Sequence, residues 1–223
     1  MEDLQIFNPI TIKSKINNYT VNFIHNLQNS IQSELNNNSF IVIDSKVKEL
    51  FGEEINLKNN SNKIIVVTSN ESNKTIDYAK QLIRKLIEAN FRKDNTIVAI
   101  GGGITQDLVA FIASVLYRGV KWNFYPTTLL AQCDSCIGSK SSINLDNYKN
   151  LLGTFCPPNK IFIYNSFLIT LNQSEIKSGI GEMLHYYLTD GIELAQKVSE
   201  KYDELLNDRN SLLPFIKSSL EIK

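Results

Sequence analysis

Residues 63–103 read KIIVVTSNESNKTIDYAKQLIRKLIEANFRKDNTIVAIGGG. The apolar runs Lys63–Thr68 and Thr96–Ile100 lack the polar alternation of a half-solvated strand. Continuous runs of this length belong to parallel strands covered on both faces. Between them, Thr75–Phe91 sets Ile76, Ala79, Leu82, Ile83, Leu86 and Ile87 on one side of a 3.6-residue period, with Asp77, Lys80, Arg84, Lys85 and Glu88 opposite. That pattern predicts an amphipathic helix, and strand, helix, strand at this spacing is a βαβ crossover. Working outward, Phe40–Asp44 (FIVID), Trp122–Tyr125 and Ile161–Tyr164 predict further strands, and Asp107–Tyr117 a helix stopped by Gly119. After Asn172 the pattern turns helical, over Gln173–Leu188, Gly191–Leu206 and from Ser211 towards Lys223. The reading is an α/β domain over residues 1–170 and the start of an all-α domain over 171–223, too short to build a core of its own.

The composition narrows the function classes. With 23 Lys+Arg against 23 Asp+Glu in 223 residues, the chain lacks the cationic surplus that nucleic-acid phosphates demand. No apolar run reaches the roughly 20 residues of a membrane span, and MEDLQIFNPI lacks the layout of a secretory signal. Three Cys are too few for a disulfide scaffold. A cytoplasmic globular protein with neither nucleic-acid nor membrane partners is expected, its Asn-rich runs at 36–38 and 59–62 forming short loops.

The triple glycine Gly101-Gly102-Gly103 lies between a strand and a helix, where bare backbone and a helix amino terminus admit phosphate. A tight turn capped by Asp107 reads equally well, because Gln106 stands where the dinucleotide fingerprint has its last Gly. Asp44 ends a strand, placed either to meet a ribose hydroxyl or to cap a helix. Glu71 and Lys74 follow the next strand, as ligand groups or as a surface ion pair. The polar stretch Pro126–Asn150 reads as a long loop carrying Thr127, Thr128, Asp134, Lys140, Lys149 and Asn150. With Arg118 upstream, three cations and a carboxylate are expected near the glycine turn, a set suited to an anionic, hydroxylated substrate. Cys133 and Cys136 form a lone CxxC, read as inert thiols like Cys156. Glu182 and His185, three residues apart, share a helix face and present either two metal ligands or ordinary surface polarity.

The segments GGGITQDLVAFIASVLYRGV, PTTLLAQCDSCIGSKSSIN, KNLLGTF and SGIGEMLHYY, in this order, resemble the 3-dehydroquinate synthase family of sugar-phosphate cyclases. The resemblance runs from about Phe40 to Asp190 and implies a Rossmann-like NAD-binding domain followed by a helical metal-binding domain. It implies NAD contacts at Asp44, Glu71, Lys74, Thr127, Thr128 and Thr170, and a pyrophosphate turn spanning Gly102, Gly103, Ile104, Thr105, Gln106 and Asp107. It places Lys140 and Lys149 between cofactor and substrate, and gives the substrate to Arg118, Asp134, Asn150 and His185. Glu182 resembles the carboxylate ligand of a divalent metal, usually zinc. The implied reaction is NAD-dependent transient oxidation of a sugar phosphate, phosphate elimination and ring closure, in a homodimer.

Three departures from the pattern bear on this. Gln106 adds a side chain expected close to the pyrophosphate. His185 replaces a substrate-binding Lys with a group that titrates near neutrality. The family's two metal-binding His belong to a later segment, so this polypeptide is expected to be an N-terminal portion that binds metal poorly by itself. The competing readings are a glycerol-dehydrogenase-like oxidoreductase and a non-catalytic NAD-binding remnant.

Overall fold

The computed structural model describes residues 7–36, 38–56 and 62–223. The Asn-rich runs fall partly, at residues 37 and 59–61, outside the described residues, as do residues 1–6. In chain order the elements are β1 (Ile10–Ile12), β2 (Tyr19–Phe23), α1 (Leu27–Asn36), β3 (Ser39–Asp44), α2 (Ser45–Ile55), β4 (Ile64–Val67), α3 (Ile76–Glu88), β5 (Thr96–Gly101), α4 (Gly103–Val115) and β6 (Lys121–Pro126). A π-helical turn (Ala131–Ser135), β7 (Lys140–Leu145), β8 (Tyr148–Phe155) and β9 (Lys160–Ile163) follow, then α5 (Gln173–Asp190), α6 (Ile192–Glu200), α7 (Tyr202–Asn207) and α8 (Leu213–Ile222).

Seven strands form one sheet in the order β1-β2-β9-β6-β5-β3-β4, parallel except for β1. Alternate residues of the apolar runs serve opposite faces, as full burial of a parallel sheet requires. Ile41, Ile43, Val98 and Ile100 pack with Leu27, Ile31, Phe51 and Ile55 of α1 and α2. Phe40, Val42, Ile97 and Ala99 pack on the other face with Leu82, Leu86, Leu108 and Ile112 of α3 and α4. At roughly 1.5–3 kcal/mol for each fully buried aliphatic side chain, these two layers dominate the stabilisation. The chain moves outward from β3 to β4, then returns across β3 to β5 and continues to β6. The order therefore reverses between β3 and β5, and the crevice at a sheet's carboxyl edge opens at such a reversal.

Several sequence expectations change. The buried stripe of α3 is Ala79, Leu82 and Leu86, while Ile76 and Ile87 are exposed. Helix α4 starts at Gly103, one turn earlier than the apolar run suggests, so Asp107 lies in its second turn and cannot cap it. Pro126–Asn150 is not a loop: it holds the π-turn, β7 and the start of β8, an antiparallel hairpin pairing Lys140 with Phe155. Strands do end at β9, but Ile176, Ile180, Met183, Leu212 and Ile216 of the later helices join the same hydrophobic cluster as α3 and α4. These helices extend the existing core and do not open a separate one.

A buried polar cross-link fixes α1 to the sheet. Glu34, 4 % exposed, accepts from Asn123 Nδ2 at 2.5 Å, and Asn123 Oδ1 accepts from the Lys160 backbone amide at 3.1 Å. Removing a carboxylate from a buried partner leaves that partner's polar group without compensation. Glu34→Ala is expected to cost about 2–3 kcal/mol in urea unfolding. Lys160→Ala, whose Nζ lies 3.7 Å from Glu34 and is half exposed, is expected to cost under about 1 kcal/mol.

Candidate functional site

β5 ends at Gly101 and α4 begins at Gly103, so the chain passes from strand to helix through a single residue. Gly102 is the N-cap residue, with extended backbone and no side-chain hydrogen bond to the helix. A thirteen-residue helix thus begins with its first amides uncapped, a partial positive charge aimed outward. The glycines make the approach possible in two ways. A Cβ on Gly101 would stand 2.2 Å from Thr105 Oγ1, whereas one on Gly103 would meet nothing closer than Ser135 Oγ at 4.0 Å. Gly101 is required by packing; Gly103 keeps the approach to the helix open.

In front of these amides lies a cavity of about 250 Å³ lined by Asp44, Lys46, Gly102, Gly103, Thr127 and Thr128 on its polar side. Phe51, Phe167 and Leu171 form its apolar wall, and Thr170 borders it. Asp44 caps α2, its Oδ1 accepting from the amides of Lys46 at 2.8 Å and Val47 at 3.2 Å. Its Oδ2 accepts from the Ser69 amide at 3.2 Å. The two readings of Asp44 are therefore compatible: it caps a helix and still faces the cavity, and an ionised carboxylate retains a further acceptor position. Thr127 is tied through its amide to Gly101 O at 3.0 Å, and Thr128 Oγ1 accepts from the Ala131 amide at 3.2 Å. Thr105 Oγ1 and Ser69 Oγ share a 2.6 Å hydrogen bond behind the turn.

Glu71 and Lys74 do not pair with each other. Buried Lys74 donates to Asp107 Oδ2 at 2.6 Å and to Asn150 Oδ1 at 2.7 Å. Asp107 Oδ1 accepts from the Ser142 amide at 2.9 Å, and Ser142 Oγ donates to Asn150 Oδ1 at 2.9 Å. Glu71 Oε1 accepts from Asn144 Nδ2 at 2.9 Å. These bonds hold the β7–β8 hairpin, which carries exposed Lys140 and Lys149, against α4. Gln106 also departs from expectation. Its side chain turns away from the cavity, donates to Ser135 O and accepts from Ser135 Oγ at 2.8 Å.

A second cluster forms around Asp134 in the π-turn. Its carboxylate accepts from Tyr186 Oη and pairs with Lys223 Nζ, which also donates to Asp134 O at 2.8 Å. Burial, and next the hydrogen bond to Asp134, push the Tyr186 phenol well above its ordinary value, and the charge of nearby Glu182 adds to the rise. The His185 ring packs edge-on to Tyr186 with centroids 5.7 Å apart, so Glu182 and His185 both border this cluster. Arg118 does not join it. Arg118 follows the carboxyl end of α4 at φ 63°, on the opposite edge of the sheet from the glycine turn, because a thirteen-residue helix spans about 20 Å. The expected gathering of three cations is not formed: Lys140 pairs with Phe155 at the open end of the hairpin, Lys149 lies beside the turn at its other end, and it is Lys223 that meets Asp134. Sequence reasoning missed Lys46, Ser69, Tyr186 and Lys223. The first two follow the ends of β3 and β4, a position that signals a sheet-edge ligand; Lys223 has no local signal. Among the described residues no three His, Cys, Asp or Glu side chains come together to hold a metal ion.

A mostly parallel sheet wrapped by helices on both faces, with its cavity at the reversal of strand order, defines an α/β domain of Rossmann-like class. Residues 64–178 match the family described as 3-dehydroquinate synthase N-terminal, and the chain belongs to that family. It is 37 % identical over 183 residues to the 3-dehydroquinate synthase of Clostridium tetani, which covers 81 % of this chain and 49 % of that protein. The chain thus spans about half the length of the curated relatives it matches. Among solved structures, the 2-epi-5-epi-valiolone synthase ValA of Streptomyces hygroscopicus, described with NAD+ and Zn2+ bound, superposes with a TM-score of 0.84 at 24 % identity over 96 % of this chain and 62 % of its own. A 2-deoxy-scyllo-inosose synthase complexed with carbaglucose-6-phosphate, NAD+ and Co2+ gives 0.72 at 24 % identity over 81 % and 51 %. At these identities the two structures establish the fold.

Lys74→Met is expected to release the hairpin: amides of 140–155 should exchange hydrogen at least about tenfold faster while those of β5 and β6 stay protected. Burial raises the thiols of Cys133, in the π-turn, and of Cys136, just after it, the latter to about 12. At pH 8 Cys133 and Cys136 should resist a disulfide reagent in the native chain and react once urea unfolds it. Because the folded-state pKa of Cys136 is the higher one, its contribution to stability is complete below about pH 9 and falls as the pH rises towards 12.

Proposed function

We propose that this chain is the cofactor-binding part of a 3-dehydroquinate synthase-type cyclase. The reaction converts 3-deoxy-arabino-heptulosonate 7-phosphate, or a related sugar phosphate, to a carbocycle with loss of phosphate. The observation that carries the reading is the cavity facing the uncapped amides of α4 in a chain of this family. In the proposed arrangement residues 1–170 bind NAD, residues 171–223 open the metal-binding part, and the enzyme is a homodimer.

The residues at the cavity fit a dinucleotide. The Gly103 and Ile104 amides, with Lys46, suit a pyrophosphate, since a helix amino terminus and a cation both favour anions. Asp44 has an acceptor position for a ribose hydroxyl, and Thr127, Thr128 and Thr170 have hydroxyls at the cavity rim. At about 250 Å³ the cavity is smaller than the roughly 300–1,000 Å³ of whole small-molecule sites, and takes one nucleoside end with the pyrophosphate. Held by these groups, NAD would supply reversible hydride transfer, the transient oxidation of a secondary alcohol to a ketone being what would make the neighbouring C–H acidic enough for phosphate to leave.

The chain's own residues then have distinct tasks. Lys140 and Lys149 offset the charge that gathers on the departing phosphate, at a position set by the Lys74–Asp107 pair and by Asn150. Asp134, already accepting from Tyr186 and Lys223, orients a substrate hydroxyl, and His185, edge-on to Tyr186, borders the same cluster. Glu182 offers one carboxylate to a divalent metal. Three protein ligands are usual in a catalytic zinc site, and the described residues do not assemble them, so no step is assigned to a metal.

Calorimetric titration with NAD tests the reading. Binding is expected for the wild-type chain and should weaken by about tenfold or more in Gly103→Asp, which brings a carboxylate to the pyrophosphate. The same variant should keep its thermal midpoint, because an acid in the first turn complements the helix dipole. Absence of NAD binding in the wild-type chain would overturn the proposal. In turnover assays of the whole enzyme, phosphate release without accumulation of NADH is expected; accumulation of NADH would instead favour a dehydrogenase.

A further inference from the structure

Gln106 stands where a glycine is usual, yet its side chain does not reach the cavity. It is 4 % exposed, and both ends of its carboxamide bond to the same residue: Nε2 donates to Ser135 O, and Oε1 accepts from Ser135 Oγ at 2.8 Å. Ser135 closes the π-turn, in which the Cys136 amide bonds back to Ala131 O at 3.1 Å. Such turns are rarer and less favourable than α-helix and keep their shape only where surroundings hold them. One residue earlier, Asp134 is held from the other side by Tyr186 of α5 and by Lys223. Gln106 itself belongs to the first hydrogen-bonded turn of α4, its amide donating to Gly102 O at 3.0 Å.

We propose that Gln106 is a positioning residue: its doubly bonded carboxamide clamps the π-turn to the first turn of α4 and so fixes the Asp134 carboxylate relative to the amides that face the cavity. A glycine at 106 would leave Ser135 O and Oγ without these partners and free the π-turn to shift along α4. The clamp joins the two clusters described above, one at the cavity and one at Asp134. Its catalytic consequence rests on the reading of Asp134 as a substrate group; the clamp itself does not.

Gln106→Met, of similar volume, removes both hydrogen bonds, and Gln106→Glu keeps the acceptor while losing the donor. Two readouts need no turnover. NAD affinity by calorimetry should stay within about twofold of wild type in both variants, since Gln106 does not line the cavity. Alkylation of Cys133 and Cys136, followed by peptide mass spectrometry, should accelerate at least about tenfold in Gln106→Met and less in Gln106→Glu, because local opening exposes these thiols. In the whole enzyme kcat should fall about tenfold with KM for NAD unchanged, and Gln106→Glu should recover part of the loss. A tenfold loss of NAD affinity in Gln106→Met would overturn the proposal by making Gln106 a cofactor contact. Unchanged alkylation and unchanged kcat would overturn it by showing that nothing is clamped. If the wild-type whole enzyme releases no phosphate, the cyclase reading fails, while alkylation and NAD titration still decide the clamp. Should Gln106→Met fail to fold, Ser135→Ala removes the hydroxyl half of the same bond pair and is expected to accelerate alkylation to an intermediate degree.

Discussion

The first turn of α4 begins without a capping side chain, and much of the molecule is arranged around that omission. A Ser, Thr or Asp at the N-cap would stabilise the helix by about 1 kcal/mol, but it would also occupy the amides. Gly102 leaves them free, and Gly101 lets Thr105 pack directly beneath the turn. The sheet supplies the support: β5 is the strand at which chain order reverses, with β3 on one side and β6 on the other. Groups at the ends of these strands, Asp44 and Thr127 among them, consequently point into one crevice.

The hairpin illustrates how a weak element is made definite. Two antiparallel strands alone are marginal in water, and β8 exposes Tyr148, Leu151 and Phe155. What anchors β7 and β8 is a buried cation, Lys74, neutralised by Asp107 and hydrogen-bonded to Asn150. Breaking such a pair leaves the other charge uncompensated in a poorly solvated place, so hairpin and helix are bound to move together. Lys140 and Lys149, at the two ends of the hairpin, inherit their positions from this contact, although neither takes part in it.

The parallel strands and their crossover helices were legible because the signal is local: apolar runs of the right length and a 3.6-residue period. The glycine turn and Asp44, which line the cavity, were also legible from residue type and position, whereas the Asp134–Lys149 stretch reads as a loop and folds as a π-turn and hairpin. Other features depend on contacts that no window along the chain contains. Gln106 looked like an intrusion on a phosphate turn until Ser135, 29 residues away, was seen to take both ends of its amide. Lys74 looked like the partner of Glu71, three residues off, but bonds across to Asp107 and Asn150. Arg118 is close to the glycine turn in sequence and about a helix length away in space. β1 has only three residues, and β2 interleaves polar Thr20 and Asn22 with its apolar residues, so neither shows the continuous apolar run that marks β3, β4 and β5.

The position of β9 has a consequence for synthesis on the ribosome. β9 lies between β2 and β6, and Asn22 reaches across to Ile161, a separation of 139 residues. At about 5–20 residues per second, β2 leaves the exit tunnel on the order of ten to thirty seconds before β9 exists. During that interval β2 has only the three-residue β1 beside it, and Val21 and Phe23, fully buried at the end, lack the parallel strand on their other side. The amino-terminal strands are the first part of the sheet to be made and the last to be placed, and the nascent chain carries two apolar residues in need of cover until β9 arrives.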